Sequence, residues 1–218
     1  LRNKIWSTAE NTMGLMIALV RNYPEEFSKC QNGIFKREKK GNTLRGKTLG
    51  LVGYGRVAQQ VQSLAIAFGM KTEAVEHLEK LLTFDIVSLH LYLNPSTYGY
   101  VNNEFLEKMK RGAYLINTAR GAIVNEQHIL EKLESGHLAG YAADVREASL
   151  QTKNPHSALW EKRNEVNVIF ASHIGGYTQE DTIRTADYVF QKFLKEGSIL
   201  SEAHHDTATA VPYLRGWW

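Results

Sequence analysis

The stretch LGLVGYGRVAQQ, residues 49–60, places Gly53, Gly55 and Ala58 in the order G-x-G-x-x-A. That spacing suits a phosphate cradle. The first glycine permits a tight turn, the second lets backbone approach a pyrophosphate, and the third, small position lets helix and strand touch. A helix starting there points unbonded N–H groups and a partial positive charge at the phosphates. Glu76 lies 18 residues after Ala58. An acidic side chain near that offset can accept from ribose hydroxyls. The competing readings are a glycine turn with no ligand and a Glu76 that is only an exposed carboxylate.

The turn has these properties only between a strand and a helix, and the flanking pattern supplies both. Short apolar runs, TLGLVGY, DIVSLHL, AYLINTA, AGYAADV and VNVIFAS, alternate with helical segments. Most of these runs are nearly continuous, as expected of strands covered on both faces. One helix is predicted from about Val57 to Phe68, with Val57, Val61, Leu64, Ala65 and Phe68 on one stripe. A second follows Asn102 or Asn103, and a third runs from Asn125 to Gly136. Strands alternating with helices imply right-handed βαβ units and an α/β fold with a doubly wound parallel sheet, Rossmann-like. Upstream, STAENTMGLMIALVRN reads as a helix capped by Ser7 or Thr8 and closed by Pro24. Its Leu15, Met16, Ile17 and Leu19 cover more of the circumference than a one-sided helix requires. KCQNGIFKREKKGNTLRGK reads as a solvated connector.

Composition bounds the classes. At 218 residues and 43% hydrophobic, the chain can bury a sizeable core. A net charge of +3 is too small to argue for nucleic acid. No apolar run reaches the ~18 residues of a membrane span, and no signal-peptide pattern is present. Cys30 is the single cysteine, so no internal disulfide forms and a reducing, cytoplasmic compartment is expected. The sequence opens on Leu1 rather than Met, as a fragment or processed chain would.

From about Thr8 to Leu200 the chain resembles the D-2-hydroxyacid dehydrogenase family, specifically its nucleotide-binding domain. The residues carrying this are LRGKTLGLVGYGRVAQQV, DIVSLHL, MKRGAYLINTARGAIVNEQHILEKLESGHLAGYAADV and SHIGGYT. The resemblance implies NAD as cofactor, a small 2-hydroxy or 2-keto acid as substrate, and a homodimer formed through the N-terminal helix. It also implies a division into a crossing helix and connector (1–45), an NAD-binding Rossmann domain (46–175), and a C-terminal helix and tail (176–218). The family's N-terminal substrate segment is not in this sequence.

Moving a hydride between such an acid and nicotinamide requires a cation for the substrate carboxylate, an acid/base for the hydroxyl proton, and a fixed nicotinamide ring. Arg120, after AYLINTA, fits the first role, since a guanidinium binds a carboxylate bidentately. His173, after VNVIFAS, fits the second, because imidazole exchanges protons near neutral pH. The resemblance also places Arg56 and Val57 along the pyrophosphate, Thr118 and Ala119 on the nicotinamide ribose side, His90 along the cofactor, and Asp144 near the nicotinamide amide. His137 reads as a helix C-terminal cap. His156, His204 and His205 carry no site.

Three positions depart from the family. Tyr92 and Ser172 stand where it has proline, and Ser149 stands where its glutamate orients the histidine. Glu147 is the nearest substitute, two residues early. A histidine without its carboxylate loses orientation, so weakened dehydrogenase activity is expected. The alternative is a non-catalytic nucleotide-binding or dimerisation module. A further departure follows Glu76, where His77–Phe84 offers eight residues for a crossover that ordinarily takes ~10–12. TEAVE is also polar for a strand. Either residues are missing from the sequence here, or the sheet is truncated at its second-strand edge, leaving the adenosine half of the site open. A continuous path from Lys71 to Asp85 with a complete second strand would argue against truncation.

Overall fold

β1 (Thr48–Val52), β2 (Lys71–Ala74), β3 (Ile86–Leu89), β4 (Ala113–Asn117), β5 (Leu138–Ala143) and β6 (Val168–Phe170) form one sheet in the order β2-β1-β3-β4-β5-β6. Every pairing is parallel. The structure, a computed structural model, describes residues 5–36, 39–147 and 157–202, the last with side chains through residue 194. The chain divides after Thr178. One compact unit, Arg2–Thr178, holds the sheet, and the other contains α7 (Gln179–Glu202). Within α7, Asp181 and Arg184 form an ion pair at 3.2 Å.

Side chains alternate along β1 and β3–β6, so these strands feed two cores. Leu49, Leu51, Ile86, Tyr114, Ile116 and Ala142 pack with α1 (Ser7–Val20) and α3 (Arg56–Ala67). Val52, Val87, Leu89, Leu115, Tyr141 and Ala143 pack on the other face with α4 (Asn103–Glu107), α5 (Glu126–Glu134) and α6 (Ala158–Glu161). Helix starts follow capping chemistry. The side-chain oxygens of Asn102 and Asn125 accept from Phe105 N and His128 N, both at 3.1 Å.

The N-terminal expectations need correction. α1 starts at Ser7 with Trp6 at its cap position and no side-chain cap, so neither Ser7 nor Thr8 serves. Pro24 lies in the first turn of α2 (Tyr23–Gln31), which precedes the expected connector and overlaps only its first three residues, Lys29, Cys30 and Gln31. Met16 and Leu19 are completely buried inside the chain and Leu15 nearly so. Packing on the sheet and α3 therefore accounts for the wide apolar face of α1. Among the described residues no helix is long and apolar enough to cross a membrane.

The second strand is present, against the expectation of truncation there. β2 pairs with β1 from Thr48↔Lys71 through Leu51↔Ala74, and the path to β3 is continuous. A 3₁₀ helix, Leu78–Thr83, makes the crossover. It suffices because only β1 lies between β2 and β3, roughly 10 Å of sheet, and a 3₁₀ helix advances about 2.0 Å per residue. Leu81 buries against the sheet, and Phe84 lies over Gly50, where a Cβ would sit 2.6 Å from its ring. β2 is the last strand on that side.

Candidate functional site

The glycine turn joins β1 to α3 at the carboxyl end of the sheet. Gly53 has φ +85°, and a Cβ there would sit 2.8 Å from the His90 carbonyl. Gly55 is the extended cap residue of α3, and nothing lies within 4 Å of where its Cβ would be. That open side is where a phosphate can meet backbone N–H groups. Ala58 is fully buried and brings α3 against the sheet. Val57 packs half-buried toward the α1 core. Arg56 is occupied otherwise than expected: its Nη1 donates to the Ile5 carbonyl at 2.8 Å and to Gln60 at 3.1 Å, tying α3 to the residues just before α1. Glu76 is exposed just beyond the carboxyl end of β2. His90 follows β3 with a buried Nε2 that has no protein partner, and burial lowers its pKa to about 4. Its imidazole is therefore neutral at pH 7.

β4 ends in a turn fixed from within. The Asn117 side-chain oxygen accepts from Ala119 N at 3.0 Å, and its nitrogen donates to the Arg120 carbonyl at 3.1 Å. Thr118 and Ala119 are nearly buried. The Thr118 and Thr12 hydroxyls meet at 2.8 Å, while Thr12 donates to the Thr8 carbonyl at 2.7 Å. Thr12 has one hydroxyl proton, so Thr118 is the donor between them. Arg120 is exposed, with Nη1 bonded to the Ala119 carbonyl at 2.6 Å. Gly121 follows it under the Arg146–Glu147 backbone.

Asp144, 2% exposed after β5, accepts from Ile174 N at 2.9 Å and Gly175 N at 2.7 Å. Those two amides directly follow His173, which is exposed and held at φ +60°. Asp144 thus ties the loop after β6 to the end of β5. A Cβ on Gly175 would sit 2.6 Å from the Asp144 carboxylate, so glycine permits the contact. Asp144→Ala should leave two amides without their acceptor and cost about 2 kcal/mol, since bonds to charged groups contribute about 1.5–3 kcal/mol when buried. Hydrogen exchange at Ile174 and Gly175 should accelerate by more than the global loss of stability explains. Protection equal to wild type at both amides would contradict the clamp.

Glu147 does not meet His173. Its carboxylate accepts from Glu126 N at 2.8 Å at the start of α5, while Glu126 accepts from Glu147 N at 2.9 Å. Glu126 is 1% exposed, and Ser157 also bonds to it. Glu147 therefore caps α5 here, because its backbone is pinned by the reciprocal bond. Ser149, His156, His204 and His205 lie outside the described residues. His137 bonds the Leu106 carbonyl at 2.8 Å, at the end of α4 rather than of its own preceding helix. Tyr92 is 81% exposed, and Ser172 is exposed. Asn117, Gly121, Thr12 and Gly175 were missed by the sequence reading. A short polar residue and a glycine flanking Thr118–Arg120 are turn signals that mark the first two.

Arg120, Asp144 and His173 thus follow β4, β5 and β6, three adjacent strands, at the carboxyl edge that also carries the glycine turn. Ligands of open parallel sheets bind at that edge. Fold and site define a dinucleotide-binding α/β domain. Residues 13–175 match the family described as D-isomer specific 2-hydroxyacid dehydrogenase, NAD binding domain, and the chain belongs to that family. It is 35% identical over 205 residues to the hydroxypyruvate reductase of Thermotoga maritima, covering 87% of this chain and 66% of that protein. It is 33% identical over 207 residues to the D-3-phosphoglycerate dehydrogenase of Bacillus subtilis, covering 87% and 38%. The chain therefore spans less than two thirds of these relatives. Among solved structures, the TT0316 protein of Thermus thermophilus superposes with TM-score 0.75 at 35% identity over 84% of this chain and 62% of that one. D-lactate dehydrogenase from Aquifex aeolicus, complexed with NAD and lactic acid, gives TM-score 0.76 at 26% identity over 90% and 68%. The residues present fit NAD: an open Gly55 cradle, an exposed Glu76 past β2, and an orphaned Nε2 on His90.

Proposed function

We propose that this chain forms the cofactor half of an NAD-dependent oxidoreductase acting on a small 2-hydroxy or 2-keto acid. The single observation that carries this reading is the Asp144 clamp, which ties the His173 loop to the strand end beside Arg120. NAD would be held by the Gly53–Ala58 turn and Glu76, and it supplies the hydride acceptor or donor. Arg120 would bind the substrate carboxylate and polarise the adjacent carbonyl. His173 would take the hydroxyl proton in oxidation and return it in reduction. Thr118 and Ala119 would line the ribose side, with Asp144 facing the nicotinamide amide. The compartment proposed is cytoplasmic.

Glu147 occupied on α5 favours a second reading, in which His173 has no orienting carboxylate and the chain is an impaired enzyme or a nucleotide-binding module. We also propose that the protein works as a homodimer through the N-terminal helices. Support comes from α2, none of whose residues is buried within the chain, and from Phe27 and Phe35, exposed by 58% and 96%.

Glu76 decides between the two nicotinamide dinucleotides. Its carboxylate would accept from ribose hydroxyls of NADH and repel the 2′-phosphate of NADPH. Calorimetric titration should show tighter binding of NADH, and Glu76→Ala should narrow the gap. Preferential NADPH binding would remove Glu76 from the site.

A further inference from the structure

Among the described residues, β2 is the edge of the sheet and no strand pairs with its outer side. Lys71 N and Val75 N donate to Lys47 and Leu51 carbonyls at 2.9 Å, so alternate residues of β2 turn both backbone groups toward β1. The residues between them, Thr72 and Ala74, direct N–H and C=O outward. An exposed row of this kind is a template for another strand. The side chains alternate as well: Lys71 and Glu73 are exposed, and Thr72 and Ala74 are half-buried. Exposed apolar residues flank the edge, with Ile66 at 57% and Phe68 at 44% from the end of α3, and Leu82 at 59% on the 3₁₀ helix. Ile66 lies one turn beyond Gln62, whose side chain reaches Thr72 at 3.1 Å.

We propose that this edge is an interface between two copies of the chain, with their β2 strands paired antiparallel about a two-fold axis through Thr72. The occupant follows from the register. Centred on Thr72, the two outward-facing Thr72 residues form a hydrogen-bonded pair and exchange both backbone bonds. The same register sets Lys71 of each copy opposite Glu73 of the other, twice. A centre at Glu73 opposes two glutamates, and a centre at Lys71 opposes two lysines. A centre at Ala74 sets Glu73 against Val75. Only the Thr72 register matches charge and backbone direction together. Glu73 already pairs with Lys80 of its own chain, and Lys71 of the second copy completes a Lys–Glu–Lys row across the junction. This edge carries both signs of charge, spaced for its own copy.

Sedimentation and light scattering across a concentration series test this. Lys71→Glu and Glu73→Lys should each weaken association at least about tenfold, because two cross-strand pairs turn from attraction to repulsion. Mixing the two single variants in equal amounts should recover association, since each then faces its complement. The double variant Lys71→Glu/Glu73→Lys should associate like wild type. Thr72→Pro removes an outward N–H without touching the β1 ladder, and should abolish the contact while circular dichroism stays native. If Thr72→Pro does not fold, the charge variants decide alone. Assembly through the N-terminal helices would ignore all four changes, so the two interfaces are read separately. A wild-type chain with no charge-sensitive association at high micromolar concentration, or single variants that do not recover on mixing, would overturn the proposal.

Discussion

Gly121→Ala destabilises the protein by about 3 kcal/mol or more, the upper part of the range for overpacked interiors. A Cβ at Gly121 would lie 1.7 Å from the Arg146 carbonyl oxygen, 2.0 Å from its carbon and 2.6 Å from Glu147 N. All three are backbone atoms, so no rotamer change relieves them. Either the turn carrying Arg120 opens or the segment after β5 lifts. Lifting would break the reciprocal Glu126–Glu147 bonds and move Arg146 off the Trp160 ring, 4.4 Å beneath its guanidinium. For a chain of this size each kcal/mol shifts the melting temperature by roughly 2–4 °C, so a fall of about 6–12 °C is expected. Gly14→Ala is the control. Gly14 sits inside α1 with nothing within 4 Å of its missing Cβ, and alanine there should stabilise by about 0.5–1 kcal/mol. Equal melting temperatures for the two variants would contradict the account of Gly121 as a position that admits no side chain.

Replacing His173 should lower turnover by about 10²–10⁴-fold, the usual contribution of a positioned acid/base. His173→Asn is the better variant, because asparagine tolerates the left-handed backbone at φ +60° and alanine does so less readily. Cofactor affinity should change little, since the backbone after residue 173 stays tied to Asp144. Arg120→Ala should instead raise KM for the acid steeply and lower kcat as well, with Arg120→Lys recovering little because the planar fork is lost. An unchanged kcat in His173→Asn would take the histidine out of the mechanism.

The parts of the fold that depend on local chemistry were legible in the sequence. Gly53, Gly55 and Ala58 between a strand and a helix specify one kind of turn, and Asn102 and Asn125 cap the helices they precede. β2 was not legible in the same way. KTEA is polar because it is an edge strand, and its crossover is short because a 3₁₀ helix needs to pass only one strand. Gly50 was the available clue, since a glycine within a strand marks close approach of another group, here Phe84. The apolar breadth of α1 left dimer and core packing open, and the burial of Met16 and Leu19 accounts for it within one chain. The placement of Arg120 and His173 just after strands was legible from the apolar runs that precede them. The Asp144 clamp was not, because it joins residues thirty apart that only the β5–β6 pairing brings together. Glu147 looked available to His173 because it lies two residues before Ser149, where the family has its orienting glutamate. Its backbone bond to Glu126 directs the carboxylate to α5 instead.

Hydride transfer to a 2-keto acid at this edge of the sheet is tested most directly by the absorbance of NADH. It is followed on mixing with a panel of small 2-keto acids, beside a calorimetric titration of NADH alone. Saturable NADH binding is expected, with keto-acid-dependent loss of NADH that Arg120→Ala suppresses. NADH that binds but is consumed with none of the acids would contradict hydride transfer and leave the nucleotide-binding module as the function.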